Sequence, residues 1–121
     1  MLGKTAPACQ PGVDHVAVRV ADIGWHIRFF QEVLDMPVRE VDGSREAPRQ
    51  VWLQGGIQLI DTPGVAAEDA RTRPWIAHVA IRVRDLETAL ARAADWAVTV
   101  LPQGPNWLRT PDGIALELLD C

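Results

Sequence analysis

The chain has 121 residues, enough for one compact domain with a core of its own. An apolar share of 48% and a charged share of 23% are those of a soluble globular protein and exclude a disordered chain. A formal charge of −4 without a basic block excludes a nucleic-acid partner, and no apolar run approaches the roughly 20 residues that cross a membrane.

Residues 1–12 carry Pro7, Pro11 and Gly12 with little pattern and read as a flexible leader. They lack the apolar middle of a signal peptide, so a cytoplasmic protein is expected. Cys9 and Cys121 sit near the two ends with no metal or redox spacing and are expected to stay unpaired.

The run His15-Val16-Ala17-Val18-Arg19-Val20-Ala21-Asp22-Ile23 returns 63 residues later as His78-Val79-Ala80-Ile81-Arg82-Val83-Arg84-Asp85-Leu86. This is an internal repeat. A strand sends alternate side chains to opposite faces, so Val16, Val18 and Val20 (Val79, Ile81 and Val83 in the second copy) share a buried face. His15, Ala17 and Arg19 (His78, Ala80 and Arg82) share the other. The closing Asp of each copy stands where a helix N-cap is expected.

After the first strand, Ile23, Ile27, Phe30 and Leu34 trace one face of a helix, which Met36-Pro37 ends. Strands follow at about 38–42, 48–54 and 56–61, with Gly55-Gly56 closing the last two into a hairpin. Residues 62–75 are the linker, in which Ala66 to Arg71 can form a helical turn. The second half repeats the plan with a strand at 76–84, a helix at about 86–95, and strands near 97–101, 106–110 and 113–119. The fold class is therefore α+β, two βαβββ modules (13–61 and 76–120) in a single domain. The module ends match too: Gln58-Leu59-Ile60-Asp61 corresponds to Glu117-Leu118-Leu119-Asp120, at an offset of 59, so the second module is four residues shorter. The loss is expected in a loop.

Parity assigns four donors to the side opposite the helices. Ile57 and Leu59 alternate with Gln58, and Leu116 and Leu118 alternate with Glu117, so Gln58 and Glu117 join His15 and His78. Two imidazoles, an amide oxygen and a carboxylate are ligands for Zn, Ni, Co, Mn or Fe, and ligand type alone does not choose among them. Trp52, Trp75 and Trp107 are candidates to line an apolar pocket, with core or interface packing as the competing reading. Arg19 and Arg82 share the donors' parity and suit an anionic substrate, or a structural role at the strand ends.

Through Asp14-His15-Val16-Ala17-Val18, Phe29-Phe30-Gln31-Glu32-Val33-Leu34-Asp35-Met36, His78-Val79-Ala80 and Pro111-Asp112-Gly113-Ile114-Ala115-Leu116-Glu117, residues 13–120 resemble the vicinal oxygen chelate superfamily. That superfamily includes glyoxalase I, methylmalonyl-CoA epimerase, extradiol dioxygenases and the fosfomycin and bleomycin resistance proteins. The resemblance implies two modules curved into a cup around a divalent metal ion held by His15, Gln58, His78 and Glu117, a small-molecule substrate and a homodimer. It implies proton transfer beside a metal-stabilised carbonyl, as in a glyoxalase-like lyase or isomerase, with Glu117 and Glu46 as catalytic carboxylates. Glu46 falls roughly where the epimerase places its base, with a solvated turn residue beside Arg45 and Arg49 as the competing reading. Trp107 and a shorter second module depart from the epimerase pattern, and no glutathione site is recognisable. An Fe(II) extradiol-type dioxygenase using His15, His78 and Glu117, and a metal-free binder of the bleomycin-resistance type, are the alternatives. The first is disfavoured because the chain has no tyrosine and its remaining histidine, His26, falls on the first helix.

Overall fold

The computed structural model describes residues 15–64 and 78–121. The leader, Cys9, Trp75 and the helical turn expected at Ala66 to Arg71 lie outside them. In the first module β1 (Val16–Val20) leads into α1 (Ile23–Glu32), followed by β2 (Val38–Gly43), β3 (Pro48–Leu53) and β4 (Ile57–Asp61). The second runs β5 (Val79–Val83), α2 (Leu86–Ala93), β6 (Thr99–Val100), β7 (Trp107–Arg109) and β8 (Ala115–Asp120). Both modules are βαβββ, as the repeat predicts.

Each module folds into its own four-stranded mixed sheet, ordered β1-β4-β3-β2 and β5-β8-β7-β6. The first strand of each pairs in parallel with the last, and the other pairings are antiparallel. A parallel pair needs a crossover, and the helix supplies it. The repeated aspartates do the same work in both copies: Asp22 Oδ1 accepts from the Trp25 N–H at 3.0 Å and Asp85 Oδ1 from the Thr88 N–H at 3.1 Å. Each satisfies a backbone donor that the first helical turn leaves without an intrahelical partner.

Strand parity is as expected where it decides the core. Val20, Leu59, Leu116 and Leu118 are fully buried, and Ile57, Ile81 and Val83 nearly so, while Val16 at the strand start remains 36% exposed. The buried residues among these form one continuous apolar cluster with Phe29 and Phe30, and Val16 is outside it. Burial of each such side chain is worth roughly 1.5–3 kcal/mol.

Helix α1 buries more than the expected stripe. Ile23 and Phe30 are buried, but so are His26 and Phe29, whereas Ile27 is only partly covered. The reason is a second neighbour. Trp25 and Phe29 meet Trp96 of the other module with ring centroids 5.7 and 5.6 Å apart, so α1 is covered on two sides. Past the helix, Asp35 turns the chain with φ at 59°, a conformation that Asp tolerates better than most residues. The helix thus ends before Met36-Pro37.

The four-residue difference between modules is a net of two changes. Trp52 pairs with Gln58, and Trp107 pairs with Glu117, so these tryptophans are equivalent. Between the partners the second module is longer by four residues, its β7–β8 connection running Thr110 to Ile114 where the first has only Gln54 to Gly56. It loses residues earlier, where β6 keeps two residues against six in β2. Among the described residues no helix is long and apolar enough to cross a membrane. Cys121 is exposed and carries a free thiol.

Candidate metal and substrate site

Gln58 stands in the middle of β4, with Ala17 beside it on one strand and Trp52 on the other. Glu117 stands in the middle of β8 between Ala80 and Trp107. The two positions are equivalent under the repeat, and in both the flanking residues 57 and 59, or 116 and 118, are committed to the core. Gln58 and Glu117 therefore point away from the core, one carrying an amide and the other a carboxylate.

The second module brings two predicted donors together. His78, immediately before β5, has Nε2 3.3 Å from Glu117 Oε1, and both side chains are about one-third to one-quarter exposed, at 35% and 26%. The Trp107 ring stands edge-on to the imidazole, with centroids 4.6 Å apart. Trp107 thus limits where the imidazole can turn and forms a wall of the site. Trp52 is half-buried at the equivalent place in the first module.

In the first module a chain of hydrogen bonds orients Gln58. Arg49 pairs with Asp42 at 2.8 Å, and the guanidinium together with the Gln50 amide holds the Asp42 carboxyl below the usual carboxylate range. Asp42 Oδ2 accepts from Gln50 Nε2 at 2.9 Å, and Gln50 Oε1 accepts from Gln58 Nε2 at 2.5 Å. An ionised carboxylate only accepts, so Gln50 must offer it the amide nitrogen and turn its oxygen to Gln58. Gln58 must then answer with its own nitrogen, and its carbonyl oxygen is left over for an electrophile. Neither Gln50 nor Asp42 was expected at the site from the sequence; strand pairing, Asp42 opposite Gln50 and Trp52 opposite Gln58, brings them to it.

His15 lies just before β1, exposed, on a cleft of about 500 Å³ that also touches Arg39 and the β5 residues Val79, Ala80 and Ile81. The starts of the two repeated strands are thus neighbours. Among the described residues no group of three or more His, Cys, Asp and Glu side chains stands together as a metal cluster. Glu46 is exposed in the turn between β2 and β3, and its neighbour Arg49 pairs with Asp42 instead. Arg19 and Arg82 are exposed on β1 and β5. Arg109, not anticipated from the sequence, is half-buried on the same face as Trp107.

The residues present fit a divalent cation by their chemistry. An imidazole nitrogen and a carboxylate oxygen stand side by side, and an amide oxygen at the equivalent place is kept available by its own hydrogen-bond chain.

Paired βαβββ modules, each a four-stranded mixed sheet whose first and last strands run parallel, define the fold class of this chain. The profile of the Glyoxalase/Bleomycin resistance protein/Dioxygenase superfamily matches residues 12–118, and the chain belongs to that family. The chain is similar to a trypanothione-dependent glyoxalase I of Leishmania major, at 25% identity and a TM-score of 0.66 over 92% of this chain and 87% of that one. It is also similar to a glyoxylase/bleomycin resistance protein/dioxygenase domain from Frankia sp., at 27% identity and a TM-score of 0.61 over 91% of this chain and 97% of that one. The fold is shared with an E126Q mutant of the fosfomycin resistance protein FosX from Listeria monocytogenes, complexed with Mn(II) and 1S,2S-dihydroxypropylphosphonic acid. There the identity is 15% and the TM-score 0.66 over 92% of this chain and 93% of that one. No curated protein sequence matches the chain.

Proposed function

We propose that this chain is a metal-dependent lyase or isomerase of the glyoxalase kind, moving a proton next to a carbonyl of a small oxygenated substrate. The contact that carries the reading is His78 Nε2 to Glu117 Oε1, on the core-averted face and beside Trp107. His15, Gln58, His78 and Glu117 would hold the ion. A divalent cation there supplies Lewis-acid stabilisation of charge that develops on a carbonyl oxygen. Gln58 offers a neutral oxygen fixed by Gln50, and Glu117 a carboxylate able to take a proton. Glu46 is the second candidate base, and would have to reach the site from its turn when substrate binds. Trp52 and Trp107 exclude water on either side, and Arg19 and Arg82 suit an anionic group at the rim.

The His78–Glu117 pair remains 35% and 26% exposed, and we infer a homodimer as the working unit, in which a second copy completes the donor set. A glyoxalase I and a Mn(II) complex among proteins of this fold support the metal reading; an antibiotic-binding protein, TnmS3, of the same fold is the counterweight. The oxygenase alternative loses support because His26 is fully buried and hydrogen-bonded inside the fold, which leaves no further described histidine for acid–base work.

The test is solvent-deuterium exchange, followed by NMR, into protons next to the carbonyl of pyruvate and dihydroxyacetone. Protein loaded with Zn, Ni, Co, Mn or Fe(II) should accelerate exchange, and Glu117→Ala should abolish the acceleration. Exchange equal in the two proteins would remove Glu117 from the chemistry.

A further inference from the structure

We propose that Arg109 is the anion-recognising residue of this site, so that its ligand carries an oxyanion, either a carboxylate or a phosphate or phosphonate. The inference deepens the functional reading above by naming a substrate class, while the binding of an anion at Arg109 needs no metal.

Strand β7 has only three residues. Leu108 in its middle is buried in the core, so Trp107 and Arg109 share the opposite face. Trp107 meets the His78 ring, which places that face at the His78–Glu117 pair. Arg109 lies opposite Ala115, two residues before Glu117 on the same side of β8. The residue across the ladder, Ala115, carries only a methyl group.

Arg109 Nε is buried and has no hydrogen-bond partner among the described residues. Buried side-chain nitrogens are nearly always paired, and one that is not asks for a missing partner. The carboxylate nearest by register does not supply it, because Glu117 is engaged with His78. A guanidinium with a desolvated Nε–H and neighbouring Nη–H groups presents the planar fork that fits two oxygens of one oxyanion. Trp107 beside it offers an apolar wall for the rest of a small ligand. The repeat marks the feature as specific to the second module: the residue equivalent to Arg109 is Gln54, which is exposed.

The experiment uses the metal-free 121-residue chain, stripped with a chelator, and follows the Trp107 indole N–H by two-dimensional NMR, assigned with Trp107→Phe. Inorganic phosphate, pyruvate and neutral hydroxyacetone are titrated in turn. Saturable movement of the Trp107 signal with phosphate or pyruvate, and none with hydroxyacetone, is expected; which anion binds more tightly tells a phosphate or phosphonate ligand from a carboxylate. Arg109→Gln should weaken binding by roughly 10- to 100-fold, Arg109→Lys by less, and Arg28→Gln, on the exposed side of α1, not at all. An unmoved Trp107 signal with both anions, or equal response to the neutral ketone, overturns the proposal even if no Arg109 variant folds. Anion binding without catalysis in the loaded enzyme would overturn the functional reading alone.

Discussion

His26 Nε2 lies 3.0 Å from Thr110 Oγ1, a hydrogen bond between residues 84 positions apart that ties the first helix to the second module. His26 Nδ1 stands 2.8 Å from the Asp22 carbonyl oxygen, an acceptor, so this nitrogen carries the proton and Nε2 accepts from the threonine hydroxyl. That hydroxyl in turn accepts from the Ile114 N–H, while Asp112 Oδ2 accepts from the N–H groups of Ala21 and Asp22 at 2.7 and 2.9 Å. Thr110 and Asp112 belong to the connection that is longer in the second module. The added residues therefore form a latch that the first module lacks. Thr110→Val leaves both His26 Nε2 and the Ile114 N–H without a partner inside the fold, and should lower stability by about 1–3 kcal/mol in urea unfolding.

The same latch sets a pH dependence. Burial, opposed by the Asp22 carbonyl and by the Asp112 and Asp22 charges, holds His26 below its ordinary value of 6.5. Above that pH the ring is neutral in both folded and unfolded chains, and its contribution is fully present. As pH falls below 6.5 the unfolded chain takes up a proton that the fold resists, so stability is lost toward the lower folded value. Urea midpoints should fall between pH 7.5 and 5.5 in the wild type. In His26→Leu the slope over that window should flatten.

The relay through Gln50 predicts a change in metal affinity without a change of ligand. Gln50→Leu removes the acceptor that fixes the Gln58 amide, and affinity measured by calorimetry should drop by about 10- to 100-fold. Loss of the Asp42 end, by Asp42→Ala, should weaken binding less, because Gln50 still accepts from Gln58.

The paired helix caps should behave alike. Asp22→Ala and Asp85→Ala each remove one side-chain acceptor at a helix start, at a cost of about 1 kcal/mol. The two sites lie in different modules, so the double variant should lose close to the sum, as thermal unfolding can check.

Much of this was legible in the sequence because the repeat states it twice. The aspartate after each valine run fixes where a helix begins, and alternation around Gln58 and Glu117 fixes which side they face, both being local rules. His26 escaped because a helix pattern reads histidine as a polar position; its ring is met by Thr110, 84 residues away, which sequence does not bring near. Arg109 and Gln50 escaped for a related reason. Each matters through what a neighbouring strand sets opposite it, and register across strands is not written in the periodicity of one. The four-residue shortening was readable only as a total, since a gain at Thr110–Ile114 and a loss around β6 partly cancel.

The central claim, that His78 and Glu117 belong to one cation site with Gln58 and His15, is tested most directly by calorimetric titration of chelator-stripped protein with Mn(II), Ni(II) and Zn(II). One ion per chain should bind the wild type saturably, with Glu117→Ala and His78→Ala each losing at least about 100-fold and Arg82→Gln keeping wild-type affinity. Affinity unchanged in Glu117→Ala and His78→Ala, or no saturable binding of any of the three ions to wild type, would contradict it.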